Sequence, residues 1–256
     1  MNSRVPGAFV AQLSWPEVEQ RLLAGAVAVL PVGAACKQHG PHLPMNADLL
    51  QAEWLAAALV QRAAVLVWPS VAYGYYPAFR DYPGSVSLSA ATFRTTVQEI
   101  LADIGRAGAG AVLIVNTGIS TIEPLQTAVA AIMPEGLRVG LANVYEGPRC
   151  RSVTQAIEQQ AHGGHADELE TSILLVIDRA HVALDKAEPW GPPVVTLSGP
   201  FSRSDPDNPR FSPSGVWGDP TFASEDKGRR LLAAMVEDLL AALEALAHPG
   251  SDGSRE

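Results

Sequence analysis

Apolar and polar positions alternate along the chain with two periods. Around residues 13–26, LSWPEVEQRLLAGA reads as a helix. Ser14 is a good N-cap and Glu17, three residues on, completes a capping box, with Pro16 in the first turn where its missing N–H costs nothing. VAVLPVG at 27–33 is a short apolar run ending in Gly, the pattern of a strand buried on both faces. Helical periodicity returns at 49–63, a second buried strand follows at 65–71, and a helix over 91–108 closes on Gly. AVLIVN at 111–116 is a third strand, a helix runs through 124–133, and LRVGLANV at 137–144 is a fourth strand. HADELETSILLVI at 165–177 and KGRRLLAAMVEDLLAALEAL at 227–246 read as helices. Residues 188–223, rich in Pro, Gly, Ser and Asp, read as a long loop region of the kind that carries function or an interface. Strands that alternate with helices predict an α/β fold with a mostly parallel sheet covered on both faces. No repeat or linker divides the chain, so one domain is expected over 1–247, with a disordered tail at 248–256.

Composition narrows the function classes. A chain of 256 residues, 47% hydrophobic and 18% charged, is globular in character. At this size it buries roughly three quarters of its unfolded surface without needing disulfides. The formal net charge of −9 argues against nucleic acid or an anionic membrane as main partner. Two cysteines, Cys36 and Cys150, are no disulfide framework. The N-terminus lacks the apolar core of a signal peptide, and the longest apolar run, 24–35, falls short of the ~20 residues of a membrane span. These features point to a cytoplasmic protein.

In open α/β sheets, sites form beyond the carboxyl ends of the strands. CKQHGPHLPMNAD, at 36–48, follows the first strand directly and offers His39, His42 and Asp48. Imidazole and carboxylate are ordinary ligands of zinc and similar ions. The same residues also serve turns and caps, and Asp48 could cap the helix that begins at Leu49. His165, Glu168 and Glu170 open the later helix. His165 and Glu168, three apart, would face one way if helical. A glycine turn at Gly163 and Gly164 followed by an acidic first turn explains the pattern equally well.

Four ordered stretches carry a family resemblance. PVGAACKQHGPHLPMNAD resembles the P-x-G-x-x-E-Q-H-G-P-H-L-P-x-x-x-D signature of the creatinine amidohydrolases, and HADELETS resembles their H-A-G-x-x-E-T-S. YPGSVSL and SGVWGDPTFA resemble their F-P-G-T-I-S-L and S-G-V-x-G-D-P-x-x-A. The matches run from Pro31 to Ala223. The resemblance implies a three-layer α/β/α sandwich, usually a homohexamer, and a two-metal hydrolase of C–N bonds in small amides that uses zinc, manganese or iron. It puts Asp48 at the bridging aspartate, His39 and Glu170 at the other ligands of one ion, and His165 at a histidine near the substrate, a candidate proton shuttle. Glu168 is then a reserve candidate for the ligand.

The chain also departs from the family. Its loop has one residue more between Gly33 and His39, and Lys37 stands at the place of the glutamate that would hold the second ion. The family's N-G-H-G-G-N loop matches NTGIST, Asn116 to Thr121, which has no histidine. Both private ligands of one ion are missing while those of the other remain. The expectation is one ion, held by His39, Asp48 and Glu170, with a divalent metal such as zinc as cofactor. Lys37 is either a surface lysine or a cation in the space of the missing ion, and in the latter role it joins His165 as a catalytic candidate. Cys36 is either a small buried apolar residue or a ligand or nucleophile. Tyr73, Tyr76 and Arg80, in the densest aromatic cluster, and Trp217 are expected to bind a small substrate, or else to line an oligomer interface. The expected function is hydrolysis of a small amide, lactam or formamide. The rival is a non-catalytic relative that binds a ligand or partner.

Overall fold

The computed structural model describes residues 6–131, 136–191 and 199–248. Five parallel strands form one sheet in the order β1-β3-β2-β4-β5: β1 Ala8–Phe9, β2 Val27–Val32, β3 Val65–Val67, β4 Ala111–Asn116 and β5 Arg138–Asn143. The central pair runs in register from Ala28 beside Val112 to Val32 beside Asn116. Among the described residues seven α-helices accompany them: α1 Trp15–Leu23, α2 Ala47–Arg62, α3 Ala90–Arg106, α4 Ile122–Ala131, α5 Pro148–Ile157, α6 Glu168–Ile177 and α7 Glu225–Ala247.

Side-chain alternation in the strands builds both cores. Val27 and Val29 of β2, with Ala111, Leu113 and Val115 of β4, pack under α2, α5, α6 and α7. Ala28, Leu30 and Val32, with Val112 and Ile114, face the opposite way, under α1, α3 and α4. A strand buried on both faces must be apolar at every position, which is why VAVLPV and AVLIVN show no polar alternation. The result is a three-layer α/β/α arrangement.

Most predicted elements appear within two residues of their expected bounds. Ser14 and Glu17 form the expected start of α1: the carboxylate accepts from the Ser14 backbone N–H at 2.8 Å and from its hydroxyl. Two starts differ, and both matter for the site. α2 begins at Ala47 with Asn46 before it, so Asp48 lies inside the first turn and caps nothing. α6 begins at Glu168, not at His165, because the Asp167 side chain accepts from the N–H groups of Leu169 and Glu170. His165 therefore lies outside the helix, in an extended bridge to Trp217, and does not share a helical face with Glu168. β1 and α5 have no counterpart in the sequence expectation: β1 is two residues long, and α5 is largely polar, burying Cys150 and Ile157. The end of the helix expected to run to 133, part of the loop region at 192–198 and the tail from 249 lie outside the described residues. No helix among the described residues is long and apolar enough to cross a membrane.

Candidate metal centre

Three loops meet beyond the carboxyl ends of β2 and β4: residues 33–46, 116–121 and 163–167. Gly33 ends β2 against the first turn of α2. A Cβ there would stand 2.5 Å from the Asp48 carbonyl oxygen, so only glycine allows this approach. The Thr117 hydroxyl donates to the same carbonyl at 3.1 Å. These contacts hold the Asp48 side chain in the interior, 2% exposed.

Lys37 is buried, not on the surface. Its Nζ lies 2.8 Å from Asp48 Oδ2 and 5.0 Å from the centre of the Phe79 ring. The contact is an ion pair rather than a well-directed hydrogen bond, since that oxygen has no hydrogen-bond partner of good geometry. Burial alone would raise the Asp48 carboxyl. The Lys37 ammonium and His39 outweigh it and hold the group below the usual carboxylate range.

The histidine tautomers follow from their acceptors. His39 Nδ1 is 2.9 Å from the Lys37 carbonyl oxygen, which can only accept, so Nδ1 carries the proton. Nε2 lies 3.0 Å from Asp48 Oδ1, which also only accepts. His165 repeats the pattern: Nε2 donates to the Gln38 carbonyl at 2.8 Å, and Nδ1 faces Glu170 Oε2 at 3.6 Å. In each pair a ring nitrogen faces a carboxylate oxygen, an arrangement that needs a proton or a cation between them. Burial, helped by the charges of Lys37 and His39, pushes the His165 imidazole well below its ordinary pKa, which disfavours a proton there. Burial also pushes the Glu170 carboxyl up, against the pull of His39 and Lys37. Ala166, at φ 50°, is the one described non-glycine residue with a left-handed backbone, and its N–H donates to Glu170 Oε2 at 2.5 Å. One ligand atom each from His39, His165 and Glu170 lie within 4.8 Å of one another, and the two rings are 4.9 Å apart. This donor set fits a single divalent ion. Asp48 borders it through His39 but is drawn toward Lys37.

The loop at 116–121 adds no ligand. The Asn116 amide donates to the Gly118 carbonyl, and Thr121 closes the turn with bonds to Asn116 Oδ1 at 2.6 Å and Gly118 O at 2.8 Å. Glu168 also stands apart from the site. It is fully buried, pairs with Lys227, and accepts from the N–H groups of Gln159 and Gln160, each at 2.8 Å. His42 ties its loop to α6 through the Thr171 hydroxyl at 2.9 Å. Cys36 is half-buried, and Cys150 is buried with its thiol pushed up to about 11, chiefly by burial.

A cavity of about 760 Å³ opens over His165, walled by Tyr75, Phe79, Ile119, Phe201 and Arg210. A cleft of about 240 Å³ reaches Glu170 and shares Ile119, Gly163 and Gly164 with it. The expected substrate contacts lie elsewhere. Tyr73 points to solvent at 52% exposed, and Trp217 is 1% exposed, packed edge-on against Phe201 at 5.6 Å. Arg80 bonds back to the Ser87 carbonyl at 3.1 Å. Tyr76 is buried, its ring centre 5.9 Å from Lys37 Nζ, and its hydroxyl has no hydrogen-bond partner among the described residues. Within that aromatic stretch, Tyr75 and Phe79 are the members that face the cavity. Phe201 and Arg210 had no signal beyond their place in the long loop region. A second cavity, of about 770 Å³ beside Trp190, shares none of the donors.

Residues 11–243 match the profile of the creatininase family, described as creatinine amidohydrolase. The chain is 28% identical to creatinine amidohydrolase of Pseudomonas putida over 92% of this chain and 95% of that protein. It is 31% identical to the mycofactocin precursor peptide peptidase of Mycolicibacterium smegmatis over 82% and 81%. Among solved structures, a creatinine amidohydrolase (creatininase) superposes with a TM-score of 0.78 at 27% identity, covering 95% of this chain and 99% of that one. A manganese form, titled "Creatininase Mn", gives 0.77 at 27% identity over 94% and 99%.

Proposed function

Because the chain belongs to the creatininase family, we propose that it is a metal-dependent amidohydrolase that cleaves a C–N bond with one divalent ion. The substrate class is a small amide, lactam or formamide. The peptidase relatives extend it to peptide-like amides. The observation that carries this reading is the cluster of ligand atoms from His39, His165 and Glu170, all within 4.8 Å of one another, with Asp48 Oδ1 3.0 Å from His39. Two imidazoles and carboxylates suit zinc, and the same donors accept manganese or iron. His39 and Glu170, which the cluster brings together, and Asp48, which the family resemblance adds, would hold the ion, which would supply a Lewis acid for the carbonyl and acidify water.

His165 lines the cavity and is held neutral by burial, so its Nδ1 can take a proton from the attacking water. Water's oxygen forms the new C–O bond, the C–N bond breaks, and His165 returns the proton to the leaving nitrogen. The Gln38 carbonyl fixes the imidazole orientation for both transfers. Lys37 balances the Asp48 charge from the side where the family's second set of ligands is missing, and so limits the centre to one ion.

The test is metal content per chain in protein purified without chelators. One equivalent is expected in the wild type and in His165→Asn, with turnover lost in that variant by about 10²–10⁴-fold. Metal is expected to be lost in Asp48→Asn. If His165→Asn loses the ion and Asp48→Asn keeps it, His165 is the ligand and the shuttle role fails. A metal-free wild type after addition of zinc or manganese favours the second reading, a non-catalytic binding protein. The neutralised Asp48 and the histidine-free loop are consistent with that reading. We further take the assembly to be a homohexamer in the cytoplasm. The exposed Trp15 and Leu23 are candidate contact residues, and light scattering reads the subunit count.

A further inference from the structure

We infer that the substrate is an acyclic amide divided unevenly about its scissile bond: a bulky aromatic amine lies in the His165 cavity, a short uncharged acyl group lies in the Glu170 cleft, and Ile119 limits the acyl side. This rests on the reading of the centre as a hydrolase and narrows its substrate class. Two cavities meet at the centre. His165 lines the larger, of about 760 Å³, and Glu170 lines the smaller, of about 240 Å³. Ile119, Gly163 and Gly164 line both, so the two adjoin along these residues. His165 Nδ1 and Glu170 Oε2, 3.6 Å apart, bridge from one to the other.

The direction of the amide follows from the proton. Water's oxygen joins the carbonyl carbon, the C–N bond breaks, and the nitrogen leaves with the proton that His165 returns, so the products are a carboxylic acid and an amine. The leaving nitrogen must lie within reach of His165. Its substituent therefore extends into the cavity that His165 lines, and the acyl group extends the other way, past Glu170. The larger cavity suits an aromatic body. Phe79 lies 4.4 Å from the His165 ring, and Phe201 stacks on Phe79 at 5.4 Å with 21° between the planes. Its volume falls in the range of about 300–1,000 Å³ that takes drug-sized ligands, and the cleft falls below that range. The cleft presents Tyr145 and Leu169 beside the carboxylates of Glu158, Asp167 and Glu170, with no cation among the described residues that line it. An acyl group with a carboxylate of its own is thus rejected by like charge as well as by size. A lactam joins both halves in one ring and cannot divide between the two spaces. Ile119, a large apolar side chain 67% exposed at the boundary, stands where the N-G-H-G-G-N loop has a glycine, so the limit on the acyl side belongs to this chain.

Two isomeric amides test the direction: N-phenethylacetamide carries the ring on nitrogen, and N-methylhydrocinnamamide carries it on the acyl side. In metal-loaded protein the first is expected to have a kcat/KM about 10–100-fold higher, read by mass spectrometry of the amine released. Calorimetry in His165→Asn, where turnover is blocked, reads the size limit. N-phenethylacetamide should bind about 10-fold or more tightly than N-phenethylbutyramide, whose acyl chain is longer. Adding Ile119→Ala should narrow that gap, chiefly through tighter binding of the butyramide, and a melting curve confirms that the variant folds. Turnover of both isomers at equal rates, faster turnover of the reversed isomer, a butyramide that binds as tightly as the acetamide, a gap unchanged by Ile119→Ala, or no binding of any of these amides would each overturn the inference. If neither isomer is turned over but the binding gap is present and narrows with Ile119→Ala, the divided site stands while the hydrolase reading fails, so the two fail separately.

Discussion

Glu168 and Glu170 stand two residues apart in the first turn of α6, and their surroundings differ in kind. Glu168 is saturated: an ammonium from α7 and two backbone N–H groups from the preceding loop meet its oxygens. Glu170 receives one N–H, from the left-handed Ala166, and otherwise faces a histidine lone pair beside a cleft. A carboxylate with all its acceptors filled is a fold element. A carboxylate left short of donors in a buried place costs stability, and that cost is kept where an ion, a proton or a substrate completes the set. The Lys37–Asp48 pair stands between these cases, a carboxylate at the candidate centre already supplied with a cation from the chain itself.

The largest effect expected from this contrast is on the functional side. Glu170→Gln should empty the centre of metal and lower turnover by about 10³-fold or more, while the melting temperature of the metal-free protein stays near that of metal-free wild type. Mass spectrometry of bound metal and a denaturation curve read both halves. Glu168→Gln should do the reverse. It removes the charge that faces the Lys227 ammonium, which keeps only the neutral acceptors Gln159 Oε1 and Phe222 O, and should cost about 3 kcal/mol in urea unfolding, with metal stoichiometry unchanged in the folded fraction. If Glu168→Gln loses metal at unchanged stability, the two roles are exchanged.

A smaller effect separates His42 from the centre it borders. Burial, with the His39 charge added, depresses its imidazole to about 4 from an ordinary 6.5. The unfolded chain takes up that proton near 6.5 and the folded chain only near 4, so the unfolded state binds more protons in between. Stability linked to this group is complete above 6.5 and falls as pH drops toward 4, by no more than about 3 kcal/mol. His42→Gln should flatten the stability profile across that window. An unchanged slope would assign the acid sensitivity to other groups. At the bottom of the scale, Arg229→Ala breaks an exposed pair with Glu225 one helical turn away and should change stability by no more than about 0.5 kcal/mol.

Sequence alone determined four of the five described strands and six of the seven described helices, because a strand buried on both faces and an amphipathic helix each leave their own pattern of apolar positions in the chain. It also marked His39, Asp48 and Glu170 through ordered motifs, and showed that Asn116–Thr121 brings no histidine. Tertiary structure alone decided the rest. Whether Lys37 lies on the surface or against Asp48 depends on how β2 docks on α2 at Gly33, a contact between backbones. Whether His165 belongs to α6 depends on the Asp167 cap, which turns its ring toward the Gln38 carbonyl, 127 residues back in the chain. Arg210 and Phe201 reach His165 from a loop with no period at all. Period records which side of an element is buried; which side chains then meet is a matter of packing between segments far apart in sequence, and that is written in no single stretch.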